Sequence, residues 1–410
     1  MIAADPYAAL RVRAFQWFIV SMLAMTMVAQ VQNVVLGWTV YQVTRDPLAL
    51  GLIGLAEVVP YVGVALLAGY VADRTDRKRV SAISLGVLLG ATVVLAVYVN
   101  TTEETRPIWP YYLVIAICGV ARAFLQVSRS ALVSEIVPRA TYVNAATWRS
   151  STWQLGLVLG PAVGGLLLGG IGMRATLVVN VVLSVVALGA MLVLQHAPTP
   201  LARGTGSVLR NVAEGLRFLR VNQVILAALS LDLVAVLFGG AVALMPVFAV
   251  DILHVGPRGM GILQGAPGAG AVLMAVYLAH RRPFVRAGRA LLLAVAVFGA
   301  CMIGFGISTS FPLSVALLFI SGAADNISAV IRSSLIQVLV PPEMLGRISA
   351  VNAIFIGSSN ELGAFESGAA ARWLGAVTTV VLGGVIALVT VGITAWRVPV
   401  LRRLREIAPP

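Results

Sequence analysis

Apolar stretches of about bilayer-crossing length recur along the whole chain, each ended by a short polar or turn-forming break. A hydrocarbon core about 30 Å thick takes roughly 20 mostly apolar helical residues to cross. Twelve such spans are predicted, at 15 to 43, 48 to 72, 80 to 100, 109 to 136, 142 to 169, 174 to 195, 222 to 250, 258 to 279, 288 to 308, 312 to 338, 348 to 371 and 376 to 396. The fold class that follows is an all-α integral membrane protein. Trp17 and Trp38 stand 21 residues apart, and Trp373 and Trp396 stand 23 apart, which places each pair at the two edges of a bilayer. Trp148 and Trp153 fit such a belt less well.

Composition agrees with this pattern and charge orients it. Of 410 residues, 59% are hydrophobic and 11% charged, and the mean hydropathy is +0.96, too apolar for a soluble domain. With the amino terminus placed in the cytoplasm, 20 of the 29 Lys and Arg residues fall in inner segments and five in outer ones. The remaining four, Arg122, Arg129, Arg149 and Arg332, lie inside or near the ends of spans. The net charge of +13 is therefore a topology signal, with both termini inside and with no nucleic-acid partner needed to explain it. Membrane lipids are the expected partners of the basic side. The first apolar run reads as a retained anchor.

The chain repeats itself. A shift of 203 residues lays Gly119, Ala121, Arg129, Ser130, Leu132, Val137 and Pro138 on Gly322, Ala324, Arg332, Ser333, Leu335, Val340 and Pro341. Farther upstream the shift becomes 207 and then 210, where Pro47 and Gly51 meet Pro257 and Gly261. Two six-helix halves are predicted, 1 to 195 and 222 to 410, joined by a linker at 196 to 221. In that linker Val208, Val212, Leu216 and Leu219 fall at helical spacing, so an amphipathic helix on the inner surface is expected. Parallel halves imply a substrate site near the midplane that is reached from each side in turn.

GYVADRTDRKRV, residues 69 to 80, packs six charges into the seven positions from Asp73 to Arg79. It resembles the signature of the Major Facilitator Superfamily through Gly69, Ala72, Asp73, Arg74, Arg77 and Lys78, with Val71 for the usual Leu and Asp76 for the usual second Gly. The resemblance implies a cytoplasmic gate of Gly69, Asp73, Arg74, Arg77 and Lys78, with Arg129 in reach. A weaker echo, HRRPFVRAGR, stands at 280 to 289. GLVLGPAVGG, residues 156 to 165, is similar to the family's antiporter motif at every defined position: Gly156, Gly160, Pro161, Gly164 and Gly165. Three of its glycines share one helix face, open to a neighbouring backbone, and Pro161 removes a hydrogen bond. The run VPPEMLGRISAVNAIFIGSSNELGAFESG, 340 to 368, is similar to the bacterial branch of enterobactin exporters and macrolide efflux proteins.

That branch implies proton-driven export of small amphipathic molecules, drugs or siderophores. A lipid or lysolipid transporter of the same fold and a proton-coupled uptake carrier are the alternatives. Ionisable groups inside spans cost several kcal/mol unless paired or wet, so they are functional suspects. The proton-coupling candidates are Asp325 with Arg122, then Glu361, with Glu366, Asp232 and Glu57 behind them. The repeat sets Arg122 against Asp325, a candidate ion pair. Glu361 and Glu366 stand about 140° apart around one helix and point into different surroundings. Gln30, Asn33, Gln264 and Asn326 are the candidate hydrogen-bonding lining of a substrate cavity, with Met22, Met25, Met27 and Phe238 as adaptable apolar surface.

Enzymatic chemistry finds no purchase. Lys78 is the only lysine and stands in Arg-Lys-Arg, so no Gly-Lys-Ser/Thr phosphate cradle can be built. His196, His254 and His280 are far apart, and Cys118 and Cys301 lie in spans, so neither a metal site nor a cofactor is expected. Small-residue spacings are too common in membrane helices to argue for a dimer, and a monomer is expected.

Overall fold

The computed structural model describes residues 7–72, 74–101, 107–196, 214, 217–219, 222–239, 241–280 and 286–404. No strand occurs among the described residues. With no water in a bilayer core to satisfy backbone N–H and C=O groups, helices that bond internally are what such a sequence must form. The principal helices are α1 Arg13–Thr44, α2 Pro47–Ala72, α3 Arg77–Thr101, α4 Trp109–Ile136 and α5 Tyr142–Val193, then α6 Gln223–Phe238, α7 Gly256–Ala279, α8 Ala287–Ile307, α9 Phe311–Leu339, α10 Pro342–Leu374 and α11 Ala376–Arg397.

Three predicted spans come out differently in detail. The fifth and sixth run together in α5, a 52-residue element whose regular backbone is broken at Gly172 (φ 79°, ψ 172°). That left-handed conformation is open to glycine and strained for other residues, so one glycine makes the reversal without a loop. The seventh does not stay a single α-helix. After α6 ends at Phe238, the chain continues as a 3-10 turn at Ala241–Leu244, a short turn at Met245–Val247 and a π-helical turn at Phe248–Ile252. Gly239 closes α6 and Pro246 has no N–H to give to a continuing ladder.

The chain divides into two compact units: Met1–Val43 with Ala56–Thr205, and Thr44–Leu55 with Gly206–Pro410. In the first, α3 packs on α4 and α5. The second limb of α5 is tied to α1, where Ser21 Oγ donates to Ala187 O (2.7 Å) and Asn180 Nδ2 to Val28 O (3.3 Å). In the second unit, α7 packs on α9 and α8 on α9 and α11, around a core that includes Leu231, Leu291, Ile331, Leu335 and Leu401. Outward-facing surfaces are apolar, as a lipid-facing surface must be. Trp373 and Trp396, 86% and 77% exposed, stand near the ends of α10 and α11. Of the predicted amphipathic linker, Val208, Val212 and Leu216 lie outside the described residues. Leu219 is buried against Ile225, Leu229 and Ile336. Residues 281–285 of the second-half echo also lie outside.

Candidate transport site and gates

In the first unit, α2 and α4 touch backbone to backbone. A Cβ on Gly119 would collide with the Glu57 carbonyl, so glycine lets α2 press onto α4 at that level. One turn later Arg122, at the middle of α4, forms an ion pair with Glu57 through NH1 and Oε1. The carboxylate that meets Arg122 within its own unit comes from α2, across the glycine contact, while Asp325, its expected partner, belongs to the other unit. The sequence carried a signal for this, since Glu57 was already a suspect acid.

The glycine face of α5 lies directly on α1. A side chain at Gly156 would strike Thr26, one at Gly160 would strike Gln30, and one at Gly164 would come within 3.1 Å of Val31 Cα. Pro161 is accommodated inside the helix, and the break falls instead at Gly172. Gly165 is buried on the same helix. Of the expected cavity lining, Gln30 is spent partly on this contact, Asn33 is exposed, and Met22 and Met25 are buried packing. Gln264 is half-buried on α7.

At the basic end of the unit, Asp73 lies outside the described residues. Its neighbours form a compact network. Asp76 Oδ1 accepts from the backbone N–H groups of Lys78 (2.9 Å) and Arg79 (3.3 Å), so the residue in the place of the family's second glycine caps α3. It does so without a left-handed backbone. Arg77 NH1 reaches Glu135 Oε1 at 2.6 Å, and His196 Nε2 lies 2.6 Å from Glu135 Oε2, with the imidazole only 2% exposed. Lys78 Nζ donates to Leu192 O at 2.9 Å. The loop is thereby bound to the ends of α4 and α5. Arg74 is exposed and stacks over Tyr70, 3.8 Å from the ring centre, while Gly69 faces open space. Glu135 and His196 were missed from sequence. The signal available was an acid standing alone at the otherwise basic end of α4.

The second unit keeps the glycine contact and changes the charges. A Cβ on Gly322 would collide with the Pro267 carbonyl, as Gly119 meets Glu57, and the 210-residue shift makes Pro267 the counterpart of Glu57. Proline offers no carboxylate. Asp325, at the midpoint of α9, has no ion pair among the described residues and is exposed. Seven residues on, buried Arg332 pairs with Asp232 of α6. Asp232, Asp325 and Ser328 line one narrow crevice between α6, α8 and α9, whose apolar wall includes Val295 and Phe298. Ser328 Oγ and Asn326 Oδ1 are buried without a hydrogen-bond partner among the described residues. So of the suspect acids, Asp232 and Glu57 are neutralised by arginine, and Asp325 meets none among the described residues.

Glu361 and Glu366 sit farther along α10. Glu361 faces Gly54 of α2, and Glu366 Oε2 accepts from Ser367 Oγ at 3.4 Å. Here the start of α2 packs closely on α10: side chains at Gly51 and Gly368 would come within 3.0 Å of Phe365 O and 2.7 Å of Pro47 O. Two exposed ion pairs flank the contact, Arg45 to Asp251 at 3.0 Å and Arg372 to Asp46 at 3.4 Å.

Comparisons with known proteins bear on the family and the fold. The family model described as Major Facilitator Superfamily matches residues 17–364. The chain is 27% identical to an MFS-type transporter of Bacillus subtilis, YfiS, over 83% of this chain and 82% of that one. It is 26% identical to the multidrug efflux pump Tap of Mycolicibacterium fortuitum, over 91% and 92%, and 26% identical to the enterobactin exporter EntS of Escherichia coli, over 85% and 83%. Among solved structures, the nucleoside transporter NupG in its D323A form superposes with a TM-score of 0.71 at 16% identity, covering 94% of this chain and 99% of that one. At that identity the likeness speaks for the fold alone. Helices of bilayer length, an internal repeat with paired charges inside it, and a family match over most of the chain lead to one statement: this protein belongs to the Major Facilitator Superfamily, a family of multi-pass membrane transporters.

Proposed function

We propose that the protein is a proton-coupled exporter of small amphipathic molecules, drugs or siderophores, working by alternating access as a monomer in a bacterial inner membrane. The basic end and both termini face the cytoplasm in this reading, and the halves 1–195 and 222–410 are its moving parts. Export is supported by the relatives named for multidrug and enterobactin efflux and by a macrolide efflux protein of Streptococcus pyogenes, 22% identical over 89% of this chain.

Proton coupling rests on one observation. Asp325 is a mid-helix carboxylate that lines a crevice and has no ion pair among the described residues, while its neighbour Asp232 is held by Arg332. A carboxylate that must take up and release a proton needs access to water and freedom from a fixed counter-charge, and a crevice-lining Asp325 without an ion pair among the described residues supports that role. Glu361 is the second candidate.

The test is proton movement in everted vesicles under an imposed pH gradient, with dyes, macrolides and catecholate siderophores as candidate substrates. Gradient dissipation by one of these compounds, lost in Asp325→Asn while substrate binding survives, is the expected result. Dissipation that survives in Asp325→Asn moves the coupling role to another acid, with Glu361→Gln next. Labelled lipid crossing with no proton movement overturns the exporter reading in favour of a lipid carrier.

A further inference from the structure

We infer that Ser328 of α9, together with one water, relays the proton of Asp325 through the crevice between α6, α8 and α9. The relay rests on the coupling role proposed above for Asp325 and supplies its route. Asp325, Ser328 and Arg332 stand at i, i+3 and i+7 on α9, so they share one face of the helix, with Ser328 next below Asp325 toward the basic end. Asp325 lies 14 residues and Arg332 seven before Leu339, the last residue of α9. At 1.5 Å per residue the strip runs from about 21 Å to about 10 Å inside that end. Across from it, α6 brings Asp232 onto Arg332. Asp232, Asp325 and Ser328 all line the crevice, and the three helices that wall it are described throughout.

The hydroxyl of Ser328 is the unusual member. A serine inside a helix commonly spends its hydroxyl on the carbonyl four residues back, as Ser184 does on Asn180 O (2.8 Å) and Ser334 on Val330 O (2.9 Å). Ser328 is 2% exposed, and its Oγ has no hydrogen-bond partner among the described residues. A buried hydroxyl in that condition is costly, and a water that meets it removes the cost. The crevice offers a cavity volume of about 10 Å³, room for a single water, with Ser328 Oγ and the carboxylates of Asp325 and Asp232 as polar partners. The rest of the lining, Val236, Val295, Phe298 and alanines, is apolar and carries no proton. The first half has no such strip, because the repeat counterparts of Asp325 and Ser328 are Arg122 and the buried Leu125.

A serine hydroxyl both donates and accepts, so it passes a proton on without holding a charge. On release, the carboxyl O–H bond of Asp325 breaks and its electron pair stays on the carboxylate. A lone pair of Ser328 Oγ takes that proton as the hydroxyl's own proton passes to the crevice water. The water exchanges its excess proton with solvent, and Ser328 ends as the neutral hydroxyl it began as. Uptake runs the same steps in reverse.

The test needs no substrate. Full-length protein in lipid nanodiscs is given a pH jump, and the infrared carboxyl band present in the parent and absent from Asp325→Asn is followed in time. In Ser328→Ala that band is expected to change about tenfold more slowly than in the parent, and in Ser328→Thr, which keeps a hydroxyl, within about twofold of the parent. Ser328→Ala is expected to melt no lower than the parent, since only an unpaired hydroxyl has gone. If Asp325→Asn removes no band that moves with pH, Asp325 does not titrate, and the coupling reading falls together with the relay. If the band is there and Ser328→Ala matches the parent's rate, the relay alone is overturned and Asp325 keeps its role. Ser328→Thr as slow as Ser328→Ala, or Ser328→Ala melting well below the parent, also overturns the relay, because the position then serves packing.

Discussion

The middle of α4 and the middle of α9 are repeat counterparts, and they solve the same packing problem with opposite charges. Both put a glycine, Gly119 or Gly322, against the backbone of a neighbouring helix. Three residues on, α4 has Arg122 and α9 has Asp325; ten residues on, both have arginine. In α4 the mid-helix charge is paired, to Glu57, and the arginine nearer the basic end meets no acid among the described residues. In α9 the arginine is paired, to Asp232, and the mid-helix charge has no ion pair among the described residues. Backbone approach has been kept through the duplication because a clash cannot be relieved locally, whereas a charge can be moved by changing one residue on a neighbouring helix.

The comparison is most sharply tested by the two acids of the second unit. Asp232→Asn strands buried Arg332 and is expected to cost about 3–5 kcal/mol, read as a large fall in melting temperature in detergent. Asp325→Asn removes no ion pair among the described residues and is expected to stay within about 1 kcal/mol of the parent while proton coupling is lost. Equal melting temperatures for the two would break the distinction between a structural and a working acid. The corresponding pair in the first unit is more exposed, so Glu57→Gln should cost less, about 2 kcal/mol. A double-mutant cycle with Arg122→Gln should recover about 1–2 kcal/mol of coupling, and strict additivity would show that the pair contributes nothing.

The shared packing is tested by Gly119→Ala and Gly322→Ala. Each drives a methyl group into a facing backbone, for about 1–3 kcal/mol. Gly90→Ala in α3 meets open space and should be neutral or slightly stabilising. The smallest effect is expected at the α2–α10 contact, where Arg45→Gln should cost about 0.5 kcal/mol or less, vanishing in high salt, because that ion pair is solvent-exposed.

Much of this was legible in the sequence, and the part that was not has a common cause. The spans, the repeat, the glycine faces and the charged loop are written in local patterns of a few to about 30 residues, and the structure places helices and close contacts where those patterns stand. Arg122 was legible as a buried cation, but its partner was not, because pairing depends on which helix faces which. The sequence offered Asp325 by repeat symmetry; α2 supplied Glu57 by contact. Asp76 looked like a defect in a tight turn until the cap it makes on α3 was seen. His196 and Glu135 lie 61 residues apart and meet because α4 and α5 both pack on α3.

By itself the sequence determined that this is a helical membrane protein of duplicated halves with a basic end, since hydrophobic length, period and charge bias are properties of consecutive residues that a bilayer reads directly. Only the tertiary structure decided which buried charges are satisfied. Ion pairing acts over a few ångströms and between segments remote in the chain, so identical arginines at matching repeat positions acquire different partners. The chemistry of each half follows from that difference.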